Sequence, residues 1–402
     1  LEANLADSSG GMACNLKPQA IPVDIKVILI GPREIYYALA DVDNEFHELF
    51  RVLVDFDSHF ALTQDSLLQL ASLLHTRARE QQVAELSNTA IARLAEYACR
   101  LAEHQQRLST RIDLLMDIVT EANYWREQTA ETLIDKTHIE RAISAREQRH
   151  ARLRDNIIED ILAGFVNITT TGHVSGQING LAVISGGETS FGCPLRISAT
   201  AHPGSKGVVD IEREVKLGQP VHSKGVMILS GYLCGRYAKS FALAMSANIA
   251  IEQSYGFIDG DSASLAELCA LLSTLINLPL RQDIAVTGSV SQFGEVQAVG
   301  GVNEKIEGFF DICQARGLTG HQGVIIPAAN CINLMLANRV IEAVSEGQFA
   351  IYAVSHVDQA LAILAGSEPG QQLADGSFAA GSIHQRIVEQ LLLFSRAAAA
   401  GN

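Results

Sequence analysis

A serine follows a glycine turn at the start of an apolar, helix-forming run. The chain reads DGDSAS over residues 259–264 and continues as LAELCALLSTLINLP. Apolar residues recur there at helical spacing, at Leu265, Leu268, Cys269, Leu272 and Ile276. The first N–H groups of a helix lack intrahelical partners and can stabilise negative charge, so this pattern predicts that Ser262 opens a helix as a nucleophile beside oxyanion-binding amides. The hexapeptide alone is more typical of an ordinary helix cap, because Asp and Ser are preferred there.

A lysine occupies the expected first turn of another helix. In GGVNEKIEGFF, residues 300–310, Asn303 is the expected N-cap and Lys305 lies in the first turn. The helix dipole disfavours a positive charge at that end, and burial would lower the pKa of the lysine further. A lysine that is neutral near pH 7 can act as a general base. The alternative is an exposed lysine whose charge is offset by Glu304 and Glu307.

A β-rich run lies between the serine and the lysine. Within residues 283–291, alternate side chains should share one face of a strand, namely Ala285, Thr287, Ser289 and Ser291. This alternation places the Thr287 hydroxyl where it could hydrogen-bond the lysine and orient it.

Two other serine patterns are alternatives. Ser223 and Lys224 are adjacent and would point to opposite sides of a strand, which does not suit a catalytic pair. The pattern Gly260-x-Ser262-x-Ser264 lacks the last glycine of the nucleophile elbow found in α/β-hydrolases. An esterase of that class therefore has little support.

Residues 253–330 together resemble the protease domain of Lon, especially its archaeal-type B branch. In that family the nucleophile lies in Gly-Asp-Ser-Ala-Ser, and the lysine follows a Gly-Gly pair. Here Ser262 and Lys305 are 43 positions apart, with TGSVSQFGEVQAVGG between them. Upstream, GQINGLAV and HSKGVMILSGYL are also similar to Lon segments, so the resemblance covers about residues 155–366.

The resemblance implies a role for each matching residue. Ser262 would be the nucleophile and Lys305 its general base, with Thr287 supporting the lysine and Asp259 as a nearby carboxylate able to pair with it. The implied activity is that of a serine endopeptidase degrading unfolded or damaged proteins within an ATP-dependent homohexameric ring. A non-catalytic scaffold or remodelling factor with a silent protease site is the alternative.

The N-terminal part resembles, more faintly, the end of an AAA+ module. VDIKVILI, residues 23–30, is similar to its fourth strand, and FRVLVDF, residues 50–56, is a second predicted strand. Residues 63–154 show the period of four helices, with Thr137 as a predicted N-cap and Glu140 completing its capping box, and they resemble the helical lid.

Two arginines match nucleotide-sensing positions of that module. By this comparison Arg51 would be the arginine finger and Arg111 the sensor arginine of the lid. Surface salt bridges are the alternative for both.

The phosphate-binding parts of an AAA+ module are not found in this sequence. It has no Gly-x-x-x-x-Gly-Lys-Ser/Thr, and Gly31-Pro32 replaces the polar sensor expected after the fourth strand. No cofactor is therefore expected in this chain, whereas ATP and Mg²⁺ are expected for the full-length protein. We expect the chain to be a fragment, since it begins in a polar segment.

These patterns predict a mixed α+β and α/β multidomain protein. The expected parts are a C-terminal remnant of the AAA+ large subdomain (1–60), an all-α lid (61–154), a Lon-type α/β protease domain (155–366), and a flexible tail with one short helix at residues 383–395 (367–402).

Composition excludes several other classes. The net charge of −15 disfavours nucleic-acid binding. The seven cysteines are scattered and never spaced as Cys-x-x-Cys, so they predict neither a disulfide framework nor a metal site. The most apolar stretch, residues 225–251, is interrupted by Arg236 and Lys239, which predicts a cytoplasmic protein without a membrane anchor.

Overall fold

The computed structural model describes residues 21–129, 131–186 and 189–400, which belong to two compact units divided after Asp57. Residues 1–20, which include Cys14 and much of the predicted AAA+ remnant, lie outside the described residues.

Between residues 21 and 57, the first unit contains two helices, α1 (Arg33–Val42) and α2 (Phe46–Leu49). Arg33, the first residue of α1, connects this helix to the end of the unit. It donates to Asp55 Oδ1 at 2.8 Å and to the Phe56 carbonyl at 2.8 Å. The two strands predicted at residues 23–30 and 50–56 are wrong, because neither segment is a strand in the structure. A strand needs a neighbour for its N–H and C=O groups, and neither segment pairs with one in the described part of the chain.

The second unit begins with a helical region. Its elements are β1 (His59–Ala61), α3 (Gln64–Glu80), α4 (Asn88–Leu101), β2 (Arg107–Ser109), α5 (Ile112–Thr129), α6 (Lys136–Arg149) and α7 (Arg152–Leu162). Leu74, Leu94 and Leu115 are fully buried in its core. The four predicted helices are confirmed as α3 to α6.

The predicted cap of α6 is wrong. The helix starts at Lys136 with Asp135 as N-cap, and the Asp135 N–H donates to Nδ1 of His138 at 3.0 Å. Thr137 therefore lies inside the helix. Glu140 forms an ion pair with Lys136 at 3.6 Å, one turn earlier, instead of closing a capping box.

An α/β region built on a mixed sheet follows. Its strands are β3 (His173–Ser175), β4 (Gln177–Gly186), β5 (Thr189–Pro203), β6 (Gly207–Asp210), β7 (Met245–Ile251), β8 (Pro279–Arg281), β9 (Ile284–Val286), β10 (Ser289–Val290), β11 (Val296–Gln297), β12 (Gly323–Pro327) and β13 (Ala350–Val354). Seven of them form one sheet in the order β13-β12-β9-β4-β5-β7-β6. Strands β13, β12, β9 and β4 pair in parallel, whereas β5 runs antiparallel to both of its neighbours.

Helices cover both faces of this sheet. They are α8 (Ile211–Glu214), α9 (Pro220–Tyr237), α10 (Ser264–Leu275), α11 (Val302–Arg316), the 3-10 helix Ala328–Asn333, α12 (Asn338–Ser345), α13 (Val357–Ala365) and α14 (Ile383–Ala400). Along β12, Ile325 packs in the same core as α10, while Val324 and Ile326 pack in the same core as α11. Because neighbouring strand residues point to opposite faces, α10 and α11 lie on opposite sides of the sheet.

The C-terminal segment is more ordered than predicted. Helix α14 buries Ile387 and Leu391 in the core shared with α10, and it extends beyond the predicted end at Ser395. The segment before it is anchored by Phe378, whose ring centroid lies 5.9 Å from that of Tyr237. The predicted flexible linker is therefore wrong for this segment, since a buried aromatic ring fixes it.

In the described part of the chain, no helix is sufficiently long and apolar to cross a bilayer. Cys99, Cys193, Cys269 and Cys313 are buried free thiols, and Cys234 and Cys331 are exposed ones.

Candidate functional site

Ser262 lies in a turn just before α10, because the helix begins at Ser264, two residues after the predicted start at Ser262. Gly260 in this turn has φ +86°, a left-handed conformation that glycine adopts without a Cβ penalty. The Ser262 carbonyl accepts the Gly288 N–H at 2.9 Å and the Thr287 hydroxyl at 3.3 Å. The residues that follow β9 thus hold the backbone of the serine from one side.

The amides at the start of α10 are already used. Ser264 N–H donates to the Asp261 carbonyl at 3.0 Å, and Leu265 N–H donates to the Gly288 carbonyl at 3.1 Å. The Ser264 and Leu265 amides are therefore not available to bind an oxyanion, and the role of the Ser262 and Ala263 amides stays a prediction.

Lys305 is the fourth residue of α11, which starts two residues before the predicted position. Gly301, not Asn303, is the N-cap and has φ +63°. The Asn303 amide instead fixes a neighbouring loop, donating to the Asn333 carbonyl at 2.9 Å and accepting the Met335 N–H at 2.7 Å.

The Lys305 side chain is only 3% exposed. Burial lowers its pKa from 10.5 to about 8, although the charges of Asp261 and Glu304 act in the opposite direction. The alternative of an exposed lysine is therefore wrong, and the amine is mostly neutral above about pH 8.

Two glycines allow the helix with Lys305 to lie directly on β5. A Cβ on Gly192 would stand 1.9 Å from the Glu304 carbonyl oxygen and 2.8 Å from the Lys305 Cα. In return, a Cβ on Gly308 would stand 2.2 Å from the Gly192 carbonyl oxygen. Strand and helix therefore cross backbone to backbone, which fixes the depth at which Lys305 is buried.

The carboxylates whose charges raise the Lys305 pKa are Asp261 and Glu304, rather than the predicted Asp259. The charge of Asp261 raises the pKa of Lys305, and its Oδ2 accepts the Ser289 hydroxyl at 2.7 Å. Asp259 is exposed, and its Oδ1 accepts the Gly260 N–H at 2.8 Å, as a turn residue does. The sequence pattern could not separate two acids on either side of one glycine.

Thr287 is buried, as a supporting residue should be, but its surroundings differ from the prediction. The strand is interrupted between Val286 and Ser289, so the four alternating residues do not share one continuous face. Among the described residues, the Thr287 hydroxyl donates to the carbonyl of Ser262. It therefore positions the serine segment directly.

Ser262 and Lys305 line the same open cleft, whose volume is about 1050 Å³. One wall comes from β4 and β5 and another from residues 252–261, where Tyr255 and Phe257 are exposed. A cleft of this size with exposed aromatic side chains can hold several residues of an extended peptide.

Arg100 joins the helical region to α11, and no sequence pattern predicted this role. From α4 it makes two hydrogen bonds to the Glu307 carboxylate, at 2.7 and 2.9 Å, and a third to the Met335 carbonyl at 2.6 Å. Burial would lower the pKa of Arg100, but the charge and hydrogen bonds of Glu307 outweigh it and raise the pKa. Glu307 lies two residues from Lys305, so this ion pair ties the helical region to the site.

The two proposed nucleotide-sensing arginines are exposed. Arg51, in the first unit, donates from Nε to the Glu48 carbonyl at 3.0 Å. Arg111 precedes α5 in the second unit, and its backbone N–H donates to the Ser109 hydroxyl at 3.3 Å. Their sensing roles stay predictions.

The alternative pair, Ser223 and Lys224, lies in α9 rather than in the expected strand, and Lys224 is exposed.

Three family models match the chain. Residues 170–365 match the Lon protease (S16) C-terminal proteolytic domain, residues 85–149 the LID domain of the archaeal LonB AAA+ ATPase, and residues 3–57 the LonB-like AAA domain. The first range contains both Ser262 and Lys305.

Curated relatives carry corresponding names. A putative Lon protease homolog of Haemophilus influenzae is 38% identical over 360 residues, which cover 89% of this chain and 59% of that protein. Another from Escherichia coli is 38% identical over 348 residues, 86% of this chain and 59% of that protein. An archaeal Lon protease of Thermococcus kodakarensis is 30% identical over 286 residues, 71% of this chain and 42% of that protein. The chain thus spans well under two thirds of the length of these relatives.

Proposed function

Because this chain belongs to the Lon protease family, we propose that Ser262 and Lys305 form a serine–lysine dyad that hydrolyses peptide bonds. The observation that carries the proposal is the burial of the Lys305 amine, with its pKa lowered to about 8, on the cleft that also contains Ser262.

The reaction needs one proton carrier and one oxyanion site. Neutral Lys305 takes the hydroxyl proton of Ser262 as Oγ attacks the scissile carbonyl carbon. The Ser262 and Ala263 amides hold the resulting oxyanion, and Lys305 then gives its proton to the leaving amine. Neutral Lys305 then takes a proton from water as the water oxygen attacks the acyl carbon. The protonated lysine gives this proton to Ser262 Oγ as the ester bond breaks.

The expected substrates are unfolded or damaged proteins, because an extended chain fits an open cleft better than a folded surface does. For the longer protein we propose dependence on ATP and Mg²⁺, with Arg51 and Arg111 sensing the nucleotide, and assembly into a homohexameric ring. Light scattering on the purified chain tests the assembly, and a monomer at high concentration would contradict self-assembly of this part.

Ser262→Ala and Lys305→Ala should each abolish cleavage of casein, and activity of either variant at the wild-type level would contradict the dyad. Ser223→Ala and Lys224→Ala are matched controls, because this second serine–lysine pair lies outside the cleft; both should cleave normally.

A silent protease site is the second candidate, because the Asp261 charge favours the protonated, inactive lysine. A fluorophosphonate probe discriminates between the two, since an activated serine reacts with it and an ordinary serine does not. Labelling that requires Ser262 and Lys305 would support the active protease.

A further inference from the structure

A second cluster of ionisable side chains is buried outside the dyad. It consists of Asp210, Glu212, His222 and Glu267, each exposed by 5% or less. They come from four elements, since Asp210 ends β6, Glu212 lies in α8, His222 lies in the first turn of α9, and Glu267 lies in the first turn of α10.

The backbone engages one oxygen of each of the first two acids. Asp210 Oδ1 accepts the Glu212 N–H at 3.1 Å, and Glu212 Oε1 accepts the Ile251 N–H at 2.8 Å. The other oxygens, Asp210 Oδ2 and Glu212 Oε2, have no hydrogen-bond partner in the described part of the chain, and neither does His222 Nε2.

The three side chains offer ligand atoms that converge. One such atom from each of Asp210, Glu212 and His222 lies within 4.8 Å of the others, and His222 Nε2 is 3.5 Å from Asp210 Oδ2. Burying several carboxylates beside a single imidazole is costly unless a cation compensates their charge. Apart from the ion-pair contact between His222 Nε2 and Asp210 Oδ2, these converging atoms lack partners in the described part of the chain, and they form a donor set that a cation would satisfy.

The fourth member of the cluster, Glu267, lies where it can orient the imidazole of His222. Glu267 Oε1 is 3.9 Å from His222 Nδ1, on the opposite side of the imidazole from Nε2. In metal sites the ring nitrogen that does not bind metal usually donates its N–H to a carboxylate, which fixes the tautomer. Glu267 would thereby hold the imidazole with Nε2 free to coordinate.

We propose that Asp210, Glu212 and His222 bind one divalent transition-metal cation, with Glu267 orienting the imidazole. Two carboxylates and one imidazole are a donor set that suits Zn²⁺, which takes three protein ligands and a fourth from solvent. Mg²⁺ and Ca²⁺ prefer all-oxygen ligands and should bind more weakly. No cysteine takes part, so analysis of cysteine spacing could not detect this site.

The cation would stabilise the segment that leads to Ser262. Glu212 holds the amide of Ile251, where β7 ends and that segment begins. Just after α8, the Leu217 carbonyl accepts the Ile258 N–H at 3.0 Å, and the Gln219 N–H donates to the Ile258 carbonyl at 2.9 Å. A cation at the root of this segment would therefore order residues 252–262 without touching the dyad.

Metal content and binding test the proposal directly. The wild-type chain is stripped with EDTA, dialysed against buffered Zn²⁺ and analysed for metal, and its binding is measured by titration calorimetry. We expect one Zn²⁺ per chain and a higher unfolding temperature with Zn²⁺ than without it. Mg²⁺ serves as the comparison cation, and Co²⁺ absorption reports the ligand geometry.

Variants then assign the ligands. His222→Gln and Glu212→Gln should remove stoichiometric binding, and Glu267→Gln should weaken it by about 10- to 100-fold. Glu214→Gln is the matched control, because it removes an exposed carboxylate from the same short helix.

Failure of the stripped wild-type chain to bind Zn²⁺ would overturn the proposal even if the variants do not fold. Unchanged binding by His222→Gln or Glu212→Gln would also overturn it, since the metal would then bind elsewhere. Neither readout depends on proteolysis, so the metal site and the dyad can fail separately.

Discussion

At the scale of single residues, the chemistry of the site depends on how Lys305 is solvated. Burial removes water from the amine and favours its neutral form, whereas the charges of Asp261 and Glu304 favour the ammonium. Burial outweighs the two carboxylates, so the lysine becomes a base close to neutral pH.

The cleavage rate should rise with pH through about 8 and level off above it, because only the neutral amine accepts the serine proton. Asp261→Asn removes a charge that raises the lysine pKa, so the rising limb should move toward acid by roughly half to one pH unit. Measurement of kcat/KM for a peptide from pH 6 to 10 checks this shift.

Asp259→Asn is the matched control for this profile. Asp259 is exposed and bonds to the adjacent Gly260 N–H, so its removal should leave the limb in place. If Asp259→Asn moves the limb and Asp261→Asn does not, the assignment of the carboxylate is wrong.

At the scale of elements, the crossing of β5 and α11 sets the position of the base. The strand and the helix each contribute a glycine at the contact, Gly192 and Gly308, because there is no room for a Cβ between the two backbones. The neighbouring atoms are main-chain atoms, which cannot move aside by rotating a side chain.

Gly192→Ala should destabilise the fold by roughly 3 kcal/mol or more, since an added methyl group would force strand and helix apart. Activity should fall even at temperatures where the variant stays folded, because Lys305 is displaced. Urea unfolding and peptide cleavage measure the two effects.

Gly235→Ala in α9 is the control, because a Cβ there meets nothing within 4 Å. It should leave stability unchanged or raise it by up to about 1 kcal/mol, owing to the better helix propensity of alanine. An equal loss of stability in both variants would contradict the close crossing.

At the scale of the whole second unit, Arg100 fastens the helical region to the protease region. Its guanidinium is three-quarters buried and is bidentate to the Glu307 carboxylate, a geometry that lysine could not reproduce. Glu307 lies two residues after Lys305 in α11, so the ion pair connects the helical region to the helix that carries the lysine.

Arg100→Met should cost about 3 to 5 kcal/mol of unfolding free energy, because it leaves the Glu307 charge buried without its partner. The double variant Arg100→Met/Glu307→Gln should recover part of that loss. Arg77→Met, which breaks the exposed pair with Glu80, should cost less than about 1 kcal/mol. Additive losses in the double variant, measured by chemical unfolding, would show that the two side chains do not interact.

The sequence by itself determined the features that depend on local pattern. Apolar residues at helical spacing marked α3 to α6 and α10, because a helix closes its hydrogen bonds within four residues. For Lys305, the position at a helix N-terminus predicted a lowered pKa, and the tertiary structure supplies the burial that is its main cause.

Only the tertiary structure decided features whose partners are distant in the chain. Residues 23–30 have the composition of a strand, but a strand is made by its neighbour, and none pairs with them in the described part of the chain. Asp259 and Asp261 are equivalent in the pattern, and packing against α9 and the Ser289 hydroxyl separates them. The cluster of Asp210, Glu212 and His222 combines residues that carry no common motif, since it is folding that directs their unpartnered atoms to one point.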